Sequence, residues 1–229
     1  MTDFTIPDLK IKPREGGYAR GQEGLARILT AALTLLVEQG SKALTLRRIA
    51  AECGLKAGNI AYYFSSKEEL LRELLDAIIS SYEEAFDAIY YAPDTTAEER
   101  LERIVMLILE DIKTKQTTRI FPELWAMSNH DPFVHDRVDD LYRRARVVLN
   151  DLVGEINPAL PVDEREALAL FMSASMEGMT IFAGHDKPWI GKMPAIERIA
   201  IKSFLYAIRA MRPGEISGLV QPDSEPQLV

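Results

Sequence analysis

A single cysteine, Cys53, occurs in 229 residues. No internal disulfide can form, which fits a reducing compartment. No run of 18 or more apolar residues is present, so no membrane-spanning helix and no membrane partner are expected. The first residues are polar and mixed in charge, without the basic start and apolar run of a signal peptide, so a cytoplasmic location is expected. The three histidines, His130, His135 and His185, lack a metal-ligand spacing. Glycine-rich phosphate loops and serine elbows are absent. Asp131 and His135 fall at i, i+4, but an exposed helix face accounts for them without chemistry. Neither an enzyme activity nor a cofactor is therefore expected. Alternating strand patterns and internal repeats are missing too, which leaves an all-α chain.

The net charge of -8 argues against nucleic acid, but it is unevenly spread. Residues 1–67 carry ten Lys/Arg against six Asp/Glu, and residues 68–229 carry 17 against 29. A small basic head on a large acidic body suits a local contact with DNA.

Apolar spacing predicts about nine helices. Leu25, Ile28, Leu29, Ala32, Leu33, Leu36 and Val37 form a stripe over 20–40. Short helices follow at 45–53 and 57–63, then a long one from Ser66 to about Tyr91, opened by Ser66 and Glu69 as a capping box. Thr96 and Glu99 repeat that pattern before a helix ending near Thr114. Further helices are expected at 118–129, from Asp131-Pro132 to Ile156, from an Asp163 cap to Ala183, and at 194–212. Residues 1–19, with Pro7, Pro13, Lys10, Lys12 and Arg14, read as a flexible basic arm. Residues 213–229 read as a disordered tail.

The densest information lies at 45–67. Ile49, Cys53, Leu55 and Ile60 suit a small private core, Ala50 a close helix approach, and Gly54 a turn with positive φ. Lys56, Asn59, Tyr62 and Tyr63 are left on an outer face, flanked by Arg47, Arg48 and Lys67. A helix that enters a DNA groove while its neighbours hold phosphates has this composition.

The run Leu44-Thr45-Leu46-Arg47-Arg48-Ile49-Ala50, then Gly54-Leu55, then Tyr62-Tyr63-Phe64-Ser65-Ser66-Lys67-Glu68-Glu69-Leu70 resembles the DNA-binding domain of the tetracycline-repressor-like (TetR) family. The resemblance covers 20–91. It implies a helix-turn-helix head at 20–66 and a helical domain at 67–212 that dimerises and holds an effector pocket. It points to Thr45, Arg47, Tyr62 and Lys67 as phosphate contacts. Ala61 departs from the family, which commonly has tyrosine there, so a phosphate contact is missing or moved to Tyr62 or Tyr63.

The chemistry agrees with that assignment. Thr45 opens a helix and offers a hydroxyl. Lys67 is a cation in a helix's first turn, where the helix dipole disfavours it and a phosphate favours it. Arg48 supplies a further positive charge, and Tyr63 a hydroxyl or a ring edge. Base reading is expected of Lys56, Ala57, Gly58 and Asn59: Lys56 suits guanine, Asn59 suits either a bidentate pair with adenine or a phosphate, and Ala57 a thymine methyl. Phe64 is expected in the core.

Phe86, Leu107, Phe121, Trp125, Tyr142, Met172 and Met176 are core residues by default, but together they suit a ligand cavity between helices. Ser128 adds a polar handle. Glu177 interrupts the apolar run from Phe171 to Phe182 and would meet a cationic ligand, a basic partner or solvent. The helices at 163–184 and 194–212 are apolar on more than one side, which calls for a second copy. The reading is a homodimeric repressor that binds a pseudo-palindromic operator and is released by a small molecule. The competing reading is a helical interaction module that has lost DNA binding.

Overall fold

The computed structural model describes residues 9–12 and 19–216; the side chains of Ala19, Arg20 and Ala57 are outside that description. The described residues form ten α-helices and two 3-10 turns, with no strand. Three helices make the head: α1 (Ala19–Gln39), α2 (Leu46–Glu52) and α3 (Ala57–Tyr63). The connector α4 (Lys67–Tyr90) leads to the body of α5 (Ala97–Ile112), α6 (Lys115–Ser128), α7 (Pro132–Ile156), α8 (Val162–Glu177), α9 (Met179–Phe182) and α10 (Met193–Ala210).

The head closes on apolar side chains from every one of its elements. Leu25, Ile28, Leu29, Ala32 and Leu36 of α1 meet Ile49 and Ala50 of α2, Ile60 of α3 and Phe64 just beyond it, all buried. The α2–α3 turn depends on Gly54 at φ +65. It is fixed by the Leu55 amide donating to the Ala50 carbonyl at 2.8 Å and by Arg27 of α1 donating to the Cys53 carbonyl at 2.7 Å. Thr45 caps α2, its hydroxyl accepting from the Arg48 amide.

At 24 residues α4 is about 36 Å long, long enough to belong to both halves. It packs on α1 and α5, and α7 runs alongside it, from Arg72 over the Phe133 ring at 4.1 Å through Asp76 with Arg137 to Tyr90 with Asp151. Part of the amino-terminal arm lies against it. The Lys10 amide donates to the Ala77 carbonyl (3.2 Å) and the Ser81 hydroxyl (3.0 Å), and the Lys10 ammonium pairs with Glu84 at 2.7 Å. Leu9 and Ile11 pack on the core beside it. The other arm residues expected to be flexible, 1–8 and 13–18, lie outside the described residues, as do 217–229 of the tail.

Most helix ends follow the sequence. Thr96 and Glu99 form the reciprocal capping box of α5, and Asp131 accepts from the Phe133 and Val134 amides with Pro132 at the first position of α7. Three ends differ. α6 begins at Lys115 rather than 118, because Thr114 accepts the Thr117 amide. α8 is preceded by Pro161, not capped by Asp163, which sits in its first turn. That helix also stops at Glu177, and a separate turn, Met179–Phe182, starts past Gly178 with a tighter Ile181 amide to Gly178 carbonyl bond.

An alanine at Gly54 would meet only the Arg27 guanidinium, at 3.9 Å, so its penalty is conformational and not steric. Gly54→Ala is expected to cost about 1–2 kcal/mol, read as a lower urea midpoint with an unchanged m-value.

Candidate nucleic-acid interface and ligand cavity

α3 turns Ile60 inward and stands the rest of its surface in solvent. Gly58, Asn59 and Ala61 are exposed, as is Lys56 just ahead of the helix. Tyr62 is 84% exposed, which no core role explains. Its ring meets the half-buried Tyr63 edge-on at 5.3 Å, and the Tyr63 hydroxyl lies over Gly24 of α1, so α1 props this side of α3. Thr45 and Arg47 are exposed at the start of α2. Because the Thr45 hydroxyl oxygen accepts a bond, its proton remains available to a phosphate. Lys67 opens α4, directly after Ser66, which caps that helix by accepting the Glu69 amide. The Ser65 amide and hydroxyl both donate to Glu69, which fixes the α3–α4 corner.

The body encloses a cavity of about 40 Å³ between α4, α5, α6, α7 and α8. On this measure it takes roughly three water-sized groups. Aromatic rings make its walls: Tyr82 is edge-on to Phe121 at 5.4 Å, and Tyr142 lies 6.4 Å from Phe121. Two carboxyls, Asp111 and Glu177, face the same space, and none of the lining residues is Lys, Arg or His. Tyr82 and Thr117 both donate to Asp111 Oδ2, at 2.9 and 2.6 Å. Burial nevertheless outweighs those bonds and raises the Asp111 pKa. Trp125 donates to the Tyr142 hydroxyl at 2.9 Å, and Tyr142 shares the cavity wall with Glu177. Burial, opposed by the Tyr142 hydroxyl and aided by the Asp111 charge, pushes Glu177 up to about 7. Burial above all, with the Glu177 charge behind it, also lifts the Tyr142 phenol well above its usual range.

Two sequence signatures match in tandem. That of the bacterial regulatory proteins of the tetR family covers residues 28–74, and that of the carboxy-terminal part of BetI-type transcriptional repressors covers 97–201. The chain belongs to the TetR family of transcriptional regulators. It is 26% identical over 155 residues to the HTH-type transcriptional regulator BetI of Serratia proteamaculans, spanning 67% of this chain and 77% of that protein. It is 27% identical over 146 residues to the HTH-type transcriptional repressor KstR2 of Mycolicibacterium smegmatis, spanning 59% and 69%. Among solved structures, a TetR regulator from Haloarcula marismortui aligns with TM-score 0.64 at 18% identity over 83% of this chain and 98% of that one. A transcriptional regulator from Saccharomonospora viridis in complex with choline aligns with TM-score 0.60 at 20% identity over 82% and 95%. TetR-family proteins are regulators and not enzymes, which agrees with the missing catalytic motifs.

In this TetR-family head, Gly58, Asn59, Tyr62 and Tyr63 line one groove with Glu23, Gly24 and Arg27 of α1, while Thr45, Arg47 and Lys56 are exposed and Lys67 is half-buried. Arg48 is drawn aside, its guanidinium donating to the Gln39 side chain. Ala57 opens α3, but its side chain lies outside the described residues. In the body, Phe86, Phe121, Tyr142, Met176 and Glu177 line the cavity as expected. Leu107 and Met172 do not; both are buried one residue away from the liners Ile108 and Ser173. Trp125 stands a layer back, holding Tyr142, and Ser128 bonds the Trp125 carbonyl instead of facing the cavity. The periodicity reading missed Tyr82, Asp111 and Thr117. Asp111 carried the same signal as Glu177: a lone acid inside an apolar stripe, here between Ile108 and Ile112.

Lys67→Ala is expected to weaken binding to every duplex sequence alike and to lower the slope of log K against log salt by about 1. An unchanged slope removes Lys67 from the contacts.

Proposed function

We propose that this chain is a dimeric, ligand-responsive TetR-family repressor that reads a pseudo-palindromic operator with α3 and releases it when a small organic cation fills the cavity. The observation that carries the reading is the freedom of Lys56, Asn59 and Tyr62 on α3, none of which packs on the chain's own body. Curated relatives that act as transcriptional repressors support the direction of regulation.

The dimer reading is supported by apolar surface on α8 and α10. Leu170 and Phe171 are 55% and 61% exposed, and Ile199 and Tyr206 are 62% and 74% exposed. Phe171 meets Phe204 edge-on at 6.4 Å, which sets the two helices side by side. Two such pairs would form a four-helix seam and fix the spacing of the heads.

The cation reading is supported by two carboxyls and aromatic faces around a space with no basic side chain. A fold neighbour holding choline, a compact organic cation, adds to it. Transmission uses α6. Thr117 and Phe121 face the cavity. Lys115, Arg119 and Glu123, on another side of the same helix, hold the end of α1 and the turn after it. A ligand that favours one position of α6 changes head spacing by its differential affinity alone, about 1.4 kcal/mol for each tenfold loss of operator binding.

Selection from random duplex DNA followed by footprinting tests the regulator reading. Enrichment of an inverted repeat is expected, and failure to retain any duplex overturns it. Leu170→Asp with Phe171→Asp is expected to give monomers in sedimentation and to weaken operator binding by at least about tenfold, since two heads no longer bind as one unit.

A further inference from the structure

We propose that the cavity is a proton-for-cation exchange site: when empty it keeps one proton on the Asp111–Glu177 pair, and an organic cation that enters sends that proton to solvent. This rests on the effector-cavity reading above and adds its regulation by pH.

The geometry carries it. Two carboxyls open on one space of about 40 Å³, with no positive side chain among its lining residues. Like charges confined together at low dielectric cannot both ionise cheaply, and a shared proton is the usual solution. The titratable groups that face the space are Tyr82 from α4, Asp111 from α5, Tyr142 from α7 and Glu177 from α8; α6 offers only the neutral Thr117 and Phe121. Both tyrosines are pushed upward and stay neutral, so only the carboxyls exchange protons near neutrality. Their surroundings divide the roles. Asp111 receives two hydroxyl donors on one oxygen, an arrangement that favours its anion. Glu177 has no such pair of donors; the hydroxyl nearest it in the wall is that of Tyr142, which accepts from Trp125. Glu177 is therefore the proton's seat, in keeping with its rise to about 7. A bound cation supplies the missing countercharge, Glu177 ionises, and its O–H proton passes to bulk water.

The linkage has a definite sign. A cation that binds only the doubly ionised pair must first remove the proton below the Glu177 pKa and finds it already gone above. Cation affinity should therefore rise about tenfold from roughly pH 6 to pH 8 and then level off. The probe is tetramethylammonium chloride, which has no acidic proton of its own, so any proton released comes from the protein. Calorimetric titration of the full chain in two buffers of different ionisation heat counts those protons. Nearly one per site is expected at about pH 6 and almost none at about pH 8.5. Glu177→Gln should remove both the release and the pH dependence.

A ligand-free measurement runs beside it. Carbon-13 NMR of glutamate carboxyls should show one group titrating near 7 in the wild type and missing in Glu177→Gln. Absence of that group overturns the proposal without any ligand. Binding with no proton release overturns the exchange but leaves the cation reading standing. No binding of tetramethylammonium at either pH overturns both. Operator binding by the unliganded protein reports on the regulator reading separately, so the failures can be told apart.

Discussion

The head is fastened to the body along one stripe of α6, and the contact nearest the bend into α2 is a single carboxylate. Glu123 of α6 accepts the Ser41 amide hydrogen at 3.0 Å, just where the chain leaves α1 and bends into α2. That bend holds Gly40 at φ +77, and a side chain there would sit 3.0 Å from the Glu123 carboxylate. One helical turn before Glu123, Arg119 donates to the Val37 carbonyl, and a further turn back Lys115 pairs with Glu38 at 2.6 Å. Together the three contacts fasten the carboxy-terminal end of α1 to one stripe of α6. Each is exposed or half-exposed and individually weak, on the order of 1 kcal/mol or less. Such a junction holds an orientation without locking it, as the proposed ligand response requires.

The opposite requirement holds inside the head. α2 and α3 have seven residues each, too short to persist alone. They exist because Ile49, Ala50, Ile60 and Phe64 are buried against α1 and because the Arg27 guanidinium ties the turn to that helix. A unit so constrained suits the proposed switch, in which a small displacement at the α1–α6 junction would reach α3 with the head moving as one body. Rigid head and soft junction are complementary parts of one lever, with α4 as a second arm: Tyr82 and Phe86 touch the cavity, while Leu70, Leu71 and Leu74 at the other end of α4 are buried with the core.

Much of this was legible in the residues, for identifiable reasons. Helices showed because apolar spacing near 3.6 reports burial, and their starts showed where Ser66, Thr96 and Asp131 place a side-chain oxygen over free amides. The start of α8 misled because Asp163 has a cap's chemistry, yet Pro161 already ends the extended segment, and Asp163 falls inside the helix, where its charge suits the dipole. The cavity was legible in kind but not in register. An apolar stripe covers a third of a helix's circumference, and spacing does not tell which edge faces neighbouring side chains and which faces empty space. Leu107 and Ile108, or Met172 and Ser173, differ only in that respect. Trp125 reads as part of the wall because it belongs to the aromatic and methionine set of the body. In fact it serves as a hydrogen-bond donor behind the wall, a role that depends on where Tyr142 arrives from another helix.

A carboxyl pair set among aromatic rings, Asp111 buried and Glu177 half-buried, is a poor way to fill a core. Apolar side chains of similar volume would pack there without a desolvation cost. The pair is also not neglected: Tyr82 and Thr117 both donate to Asp111, Tyr142 lines the space with Glu177, and Trp125 fixes Tyr142. A network organised to that extent around unneutralised acids makes physical sense as a site for charge. Two unit charges about 4 Å apart attract by about 4 kcal/mol at an effective dielectric near 20, roughly three powers of ten in affinity before the cation's own dehydration is counted. A neutral molecule of the same shape forfeits that attraction and leaves the acids uncompensated. On the proposed reading, selectivity for charge over shape follows from the same two side chains that weaken the empty fold.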